Sequence, residues 1–450
     1  MKNILFISYY FPPYSGGSII RVHNFVKYLP NFGFCPVILT VDENYYERIY
    51  YSPSLLYEYP KCVKIFRTKS LEFKIRNIKD KVYGLRKKNN FDRFFILIIR
   101  KLISTLLIPD YHILWLPYVL LKGYRIIRRN NISLIFSTSP PFSSSIIAYI
   151  LSKLSGKPFV VDYRDDWIGN TFYSSGKIKN NIEKKIEMLI IKNAVKVITT
   201  THGSIELFRR KYPKIDSDKY FYIPNGFDPE YFNSFLIKGV QNHKICKDRK
   251  VIFTYAGSLT TKRDPCFFLY SIKEIIEETP NIKDCIEIVF IGFCHYKHKE
   301  LVKKLSLEEI VSFKNQLSPR ETAKFLQEET DVCLLFQRKS EGGTTAIPGK
   351  LYEYLASRKP ILCMDDDGAT TKFLEDIGLE LNAKYDDKKK IRQLIENIII
   401  NYQIVAKKYI LDEKFLNSFN RKKETEILAI IINEILNNCG VPATLHAWIN

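Results

Sequence analysis

Residues 348 to 362, PGKLYEYLASRKPIL, combine a Pro-Gly break, a short helical run carrying one acidic residue, and an apolar strand. Pro348 and Gly349 punctuate the chain, and Lys350 to Ser357 reads as a helix whose first turn offers unpaired N–H groups and a partial positive charge. Such an end attracts phosphate. Glu353 lies about one turn inside, where its carboxylate accepts hydrogen bonds from ribose hydroxyls while the amides near Gly349 to Leu351 face a diphosphate. Taken alone, the same residues would equally open an ordinary helix after a turn.

Other candidate residues follow apolar runs. The opening MKNILFISYYFPPYSGG gives a strand at Ile4 to Ser8, a loop ending in Gly16 and Gly17, and a helix from about Ser18 to Leu29. Strand, glycine loop and helix N-terminus form the unit by which open parallel sheets admit phosphates. VVDYRDDW sets Asp162, Arg164, Asp165 and Asp166 at the end of an apolar strand, where a parallel sheet presents polar groups to a ligand. An aspartate there also suits a helix cap. Residues 137 to 143, STSPPFS, present hydroxyls such as Ser139 at a sheet edge, as an acceptor contact or a plain βα turn. In IPNGFD, Pro224 sets the approach to a turn in which Asn225 and Gly226 can take positive φ.

These loops need strands to hold them. Phe34 to Thr40, Ser133 to Ser137, Phe159 to Tyr163, Val195 to Thr200 and Tyr220 to Ile223 read as short β-rich runs with helical patterns between several of them. A second series starts at Val251 (VIFTYAG) and continues at Ile286 to Ile291, Val311 to Phe313, Val332 to Phe336 and Pro360 to Met364. Alternation of this kind predicts an α/β chain with two doubly wound parallel sheets facing a cleft. At 450 residues, each half is large enough to bury its own core.

The order of seven segments resembles the retaining GT-B glycosyltransferases, specifically the group-4 type that builds bacterial surface polysaccharides. They are FPPYSGG, LIPDYHILWLP, STSPPFSSSIIA, VVDYRDDW, IPNGFD, YAGSLTTKRDP and PGKLYEYLASRKPIL. The resemblance implies two Rossmann-like domains: residues 1–240 for the acceptor, with a basic aromatic insertion at about 60–115, and residues 241–420 for the nucleotide sugar. Residues 421–450 would be a helix crossing back to the first domain.

The resemblance also assigns roles. Lys262 and Arg263 stand where the family places phosphate-binding cations, to neutralise a departing diphosphate. The familiar Gly-Arg of that loop is Gly257-Ser258 here, and Arg263 replaces the lost cation. Of two family glutamates, the second is Glu353; the first is replaced by Thr345, with Glu341 four residues upstream. The donor set is therefore Gly16, Gly17, Gly257, Lys262, Arg263, Thr345, Pro348, Gly349, Lys350, Leu351 and Glu353. Asp165 and Asp166 supply polar catalytic contacts beside Lys262 and Arg263, and Arg164, Ser139 and Asp165 meet the acceptor. Front-face transfer with retention, in which the leaving phosphate deprotonates the acceptor, requires no dedicated base and no metal or other cofactor. His202 is accordingly read as a loop or helix-start residue.

Composition narrows the partners. A hydrophobic share of 46% marks a globular chain. No uninterrupted apolar run of about 18 residues exists, and the N-terminus lacks a cleavage-site pattern, so a cytoplasmic protein is expected. The net charge is +21, and Leu71 to Lys101 holds ten basic residues against three acids, interleaved with Phe73, Tyr83, Phe91, Phe94 and Phe95. That run suits peripheral contact with the anionic inner face of the cell membrane, beside an apolar stretch at Phe94 to Ile108. A solvated insertion is the plain alternative, and nucleic acid ranks last because no binding module appears. Nine scattered cysteines without a C-x-x-C read as buried hydrophobes, and His295 and His298 as solvated residues of a Lys-rich loop. The expected partners are a nucleotide-sugar donor and a glycan or polyprenyl-diphosphate-linked acceptor. A GT-B nucleotide-sugar 2-epimerase and an inactive nucleotide-binding protein docked on the membrane are the competing readings.

Overall fold

The computed structural model describes residues 1–17, 19–46, 51–72, 107–168, 176–232, 250–337 and 345–437. Outside them lie residues 73–101 of the basic run, Glu341, the boundary expected near residue 240, and residues 440–450. The chain divides into two compact units, the first Met1–Pro224 with the chain from Glu424 onward, the second Asn225–Lys423.

The first unit holds a seven-stranded parallel sheet of β1 (Lys2–Ile7), β2 (Phe34–Val41), β3 (Lys64–Thr68), β4 (Ile132–Ser139), β5 (Phe159–Tyr163), β6 (Lys196–Thr199) and β7 (Tyr220–Tyr222). Their order is β3-β2-β1-β4-β5-β6-β7. Alternation divides each strand between two cores. Leu5, Ile7, Leu39, Ile135 and Val161 pack on one face; Ile4, Phe6, Ile38, Phe136 and Val160 pack on the other. Because both faces are covered, the strands read as continuous apolar runs. The second face is closed partly by Leu428, Ala429, Ile431 and Ile432, from the helix Arg421–Asn437.

The second unit repeats the plan with β8 (Val251–Ala256), β9 (Ile286–Ile291), β10 (Val311–Lys314), β11 (Val332–Gln337), β12 (Ile361–Asp365) and β13 (Asn382–Ala383). Their order is β10-β9-β8-β11-β12-β13, all parallel. In each sheet the first strand lies between the second and the fourth, so the winding reverses beside it. Ligands of such sheets bind outside the carboxyl ends of the strands at that reversal. For the second unit that point is the end of β8, where AGSLTTKRDP begins.

Two strands are absent from the sequence reading. The run KIFRT of β3 is a partly exposed edge with a lysine and an arginine in it, and β13 is two residues long.

Candidate active site

In the second unit, β8 runs into Gly257, whose φ of +127° lies in the region that favours glycine. A Cβ there would stand 2.8 Å from the Lys350 ammonium. The loop that follows is braced from behind. His298 Nε2 lies 3.2 Å from the Thr260 carbonyl, and its Nδ1 lies 3.4 Å from Asp264 Oδ1. Asp264 accepts the Cys266 N–H at 3.0 Å, at the start of the helix Cys266–Glu278. His298 was expected in solvent, but it is 3% exposed. Its helix, Tyr296–Lys304, buries one face through His298 and Val302, four residues apart. This fixed loop carries Lys262, which is exposed, and Arg263, which is half-buried.

The helix after Pro348-Gly349 spans Lys350–Ser357, the expected residues. Leu351, Tyr354 and Leu355 bury its apolar face, and the Tyr354 hydroxyl accepts the Ala256 N–H at 3.0 Å, tying the helix to the end of β8. Lys350 and Glu353 fall three residues apart and so neighbour each other on the helix. The Leu351 amide is committed to the Pro348 carbonyl at 2.9 Å, which leaves the amides of Gly349 and Lys350 as the better candidates for an anion. Thr345 is half-buried, and the adjoining Ala346 carbonyl accepts from Gln337 Nε2 at 3.2 Å.

Charge converges here. The Lys350 Nζ exposes less than 1 Å2 and has no hydrogen-bond partner among the described residues; it lies 3.8 Å from the centre of the Tyr255 ring. Burial drives its pKa well below that of an ordinary lysine, nearby Arg263 lowers it further, and Glu353 opposes both. Burial pushes the Glu353 carboxyl up to about 7, against the restraining charges of Arg421 and Lys350. Arg421 is 2% exposed. It is delivered by a backbone stitch in which Phe227 N–H donates to Phe419 and Arg421 N–H donates to Phe227. The same segment sets Asn225 beside the helix start, 3.9 Å from where a Gly349 Cβ would be. Two partly desolvated ionisable groups with opposite shifts are a frequent mark of a functional site. Arg421 and Tyr255 escaped the sequence reading. Arg421 looks like any charged residue of NRKKETE, and only the fold takes it inside.

The first unit gathers its polar groups differently. Asp162 is fully buried and ion-paired at 3.0 Å with Arg21, which is 2% exposed. Arg21 also donates to the Pro224 carbonyl at 2.6 Å, and Thr138 Oγ1 donates to Asp162 at 2.9 Å. Arg164 donates to the Ser139 and Pro140 carbonyls, at 3.3 and 2.5 Å. The Ser139 hydroxyl is fully buried, 2.6 Å from Ser145 Oγ. Arg164 and Ser139, expected at the acceptor, thus hold the STSPP loop in shape. Asp165 is exposed at the end of β5 while Asp166 is buried. Gly16 sits against Tyr14, whose ring a Cβ would meet at 2.5 Å, whereas nothing lies within 4 Å of a Cβ at Gly17. In the LIPDYHILWLP segment, Asp110 accepts from the Ser143 hydroxyl and amide, and Trp115 donates to Thr68 at 2.6 Å. His202 opens the helix His202–Lys211, which Thr201 caps.

No metal-ligand cluster of three or more His, Cys, Asp or Glu side chains occurs among the described residues, and no described helix is long and apolar enough to cross a membrane.

The comparisons agree with this architecture. Sucrose-phosphate synthase from Thermosynechococcus elongatus is similar over 97% of this chain and 100% of its own, at TM-score 0.67 and 14% identity. Anabaena Alr3699/HepE, solved in complex with UDP, is similar over 96% and 100%, at TM-score 0.62 and 13% identity. A putative UDP-N-acetylglucosamine 2-epimerase from Listeria monocytogenes is similar over 98% of both chains, at TM-score 0.57 and 12% identity. No curated protein matches in sequence. The chain thus has the GT-B fold, and its residues 15–231 match the model of Glycosyltransferase Family 4.

Proposed function

We propose that this protein moves a sugar from a nucleotide-diphosphate donor onto a glycan or polyprenyl-diphosphate-linked acceptor, with retention, in the assembly of a bacterial surface polysaccharide such as capsule or O-antigen. One observation carries the reading: Glu353, Lys350 and Arg263 converge around the carboxyl end of β8, in a chain with a Family 4 domain. A carboxylate beside a helix start suits the paired hydroxyls of a ribose. Cations and first-turn amides suit the diphosphate, whose charge grows as it leaves. In this reading these groups, with Lys262, stabilise the leaving group without a metal. Asp165 and Asp166 are the polar catalytic contacts of this reading.

The basic run at Leu71 to Lys101 supports docking on the cytoplasmic face of an anionic membrane, at about 1 kcal/mol for each basic residue near the surface. The epimerase-like fold neighbour supports a second reading, an acceptor-independent 2-epimerase.

Incubation of the purified protein with UDP-, GDP- and dTDP-sugars, in EDTA, with and without extracted lipid-linked glycans, separates these readings. Transfer is expected to release nucleoside diphosphate from one donor series, faster with acceptor, with the anomeric configuration of the donor kept. Formation of a 2-epimer without acceptor would favour the second reading, and no turnover of any donor would overturn both.

A further inference from the structure

We propose that Lys350 is the cation that meets the donor's diphosphate, and that binding a nucleoside diphosphate is coupled to uptake of a proton at its Nζ. The proposal rests on the donor-site reading above and adds to it a proton linkage at one of its residues.

The geometry is that of an amine stored without a hydrogen-bond partner among the described residues. Its Nζ lies against the face of Tyr255 at 3.8 Å and is closed off from solvent. Gly257 makes room for it, since a Cβ there would stand 2.8 Å from Nζ and 3.4 Å from Cε. The ring face and a bare glycine give the nitrogen nothing to donate to, whereas diphosphate oxygens at the helix start would accept all three of its hydrogens.

The surrounding charges agree. Tyr255 on β8, Arg263 on the loop and Glu353 on the same helix face the amine, with Arg421 behind Glu353. In the unliganded protein burial and Arg263 disfavour the ammonium and outweigh Glu353 and the face of Tyr255, which favour it. An incoming diphosphate reverses that balance, and the proton is drawn from the buffer. Above about pH 7 Glu353 is already ionised and releases nothing to offset it. The diphosphate is then fully ionised as well, since its last proton leaves near pH 6.

Isothermal titration of the full chain with UDP, GDP and dTDP at pH 8.5, in Tris and in EPPS, reads the proton from the difference in heats. For the diphosphate that binds, the wild type is expected to take up protons, seen as a buffer-dependent binding heat. Lys350→Met is expected to bind at least about tenfold more weakly with no uptake. Lys350→Arg, charged at every accessible pH, is expected to bind without uptake. Melting curves of the unliganded variants report folding. Binding that is unchanged in Lys350→Met, or wild-type binding without proton uptake, would overturn the proposal while leaving the donor site standing. Failure of every diphosphate to bind would overturn both.

Discussion

At its sheet edge the first unit pairs its buried charged groups within the protein, whereas the second unit leaves a buried amine without a hydrogen bond among the described residues. Arg21 engages Asp162 and the Pro224 carbonyl, Arg164 engages two loop carbonyls, and Ser139 engages Ser145. The two arginine contacts join segments at least 24 residues apart, and none of the three needs a ligand to complete the bond named. Near Gly257, by contrast, an amine is buried against a ring without a hydrogen bond, and a carboxyl is held in a setting that disfavours its charge. Buried polar groups are ordinarily paired. Where a charged group is not, a ligand that pairs it recovers the desolvation cost, which is the ground for proposing the donor site at the second edge. The first edge leaves Asp165 as its exposed carboxylate.

Substitutions test this contrast. The largest effect is expected at Asp162→Ala, which strands the buried Arg21 guanidinium. About 3–5 kcal/mol of stability should be lost, read from the urea midpoint, with nucleotide affinity of the folded protein unchanged. A loss below about 1 kcal/mol would remove the claim that this pair is scaffold.

Glu353→Gln should act in the opposite sense. A carboxyl raised from 4.5 to about 7 stays protonated in the fold while the unfolded chain ionises. The wild type therefore loses stability as pH rises from about 4.5 to about 7, and no further above that. The amide variant should be more stable than wild type at pH 8, by on the order of 1–3 kcal/mol, with the gain vanishing near pH 4. Thermal melts across that range check it.

Gly257→Ala adds a Cβ at φ +127° and against the Lys350 amine; a cost of about 1–3 kcal/mol and weaker donor binding are expected. His298→Leu, which frees the Thr260 carbonyl and Asp264, should cost about 1 kcal/mol and weaken donor binding several-fold through a looser cation loop. Equal donor affinity in both variants would show that the loop takes no part.

Both sheets were legible because strands covered on two faces read as unbroken apolar runs. The helix at Lys350–Ser357 was legible from its Pro-Gly start and its period. The edge strand KIFRT was not, since its charged residues mimic a loop. Glu353 was found from its place one turn into a helix, yet its partner Arg421 lies 68 residues on and becomes a partner only through the Phe227 stitch. Arg21 hides in a helical run, IRVHNFVKY, and meets Asp162 across 141 residues. His298 was misread because its neighbours are lysines, although its four-residue spacing to Val302 carried the signal.

The most direct test of the donor site is equilibrium binding of UDP, GDP and dTDP to the wild type and Glu353→Gln at pH 8, where the carboxylate is ionised. Selective binding of one diphosphate by the wild type, weakened at least about tenfold in a variant that is no less stable, is the predicted result. Equal affinity in the two proteins, or no binding by either, would contradict it.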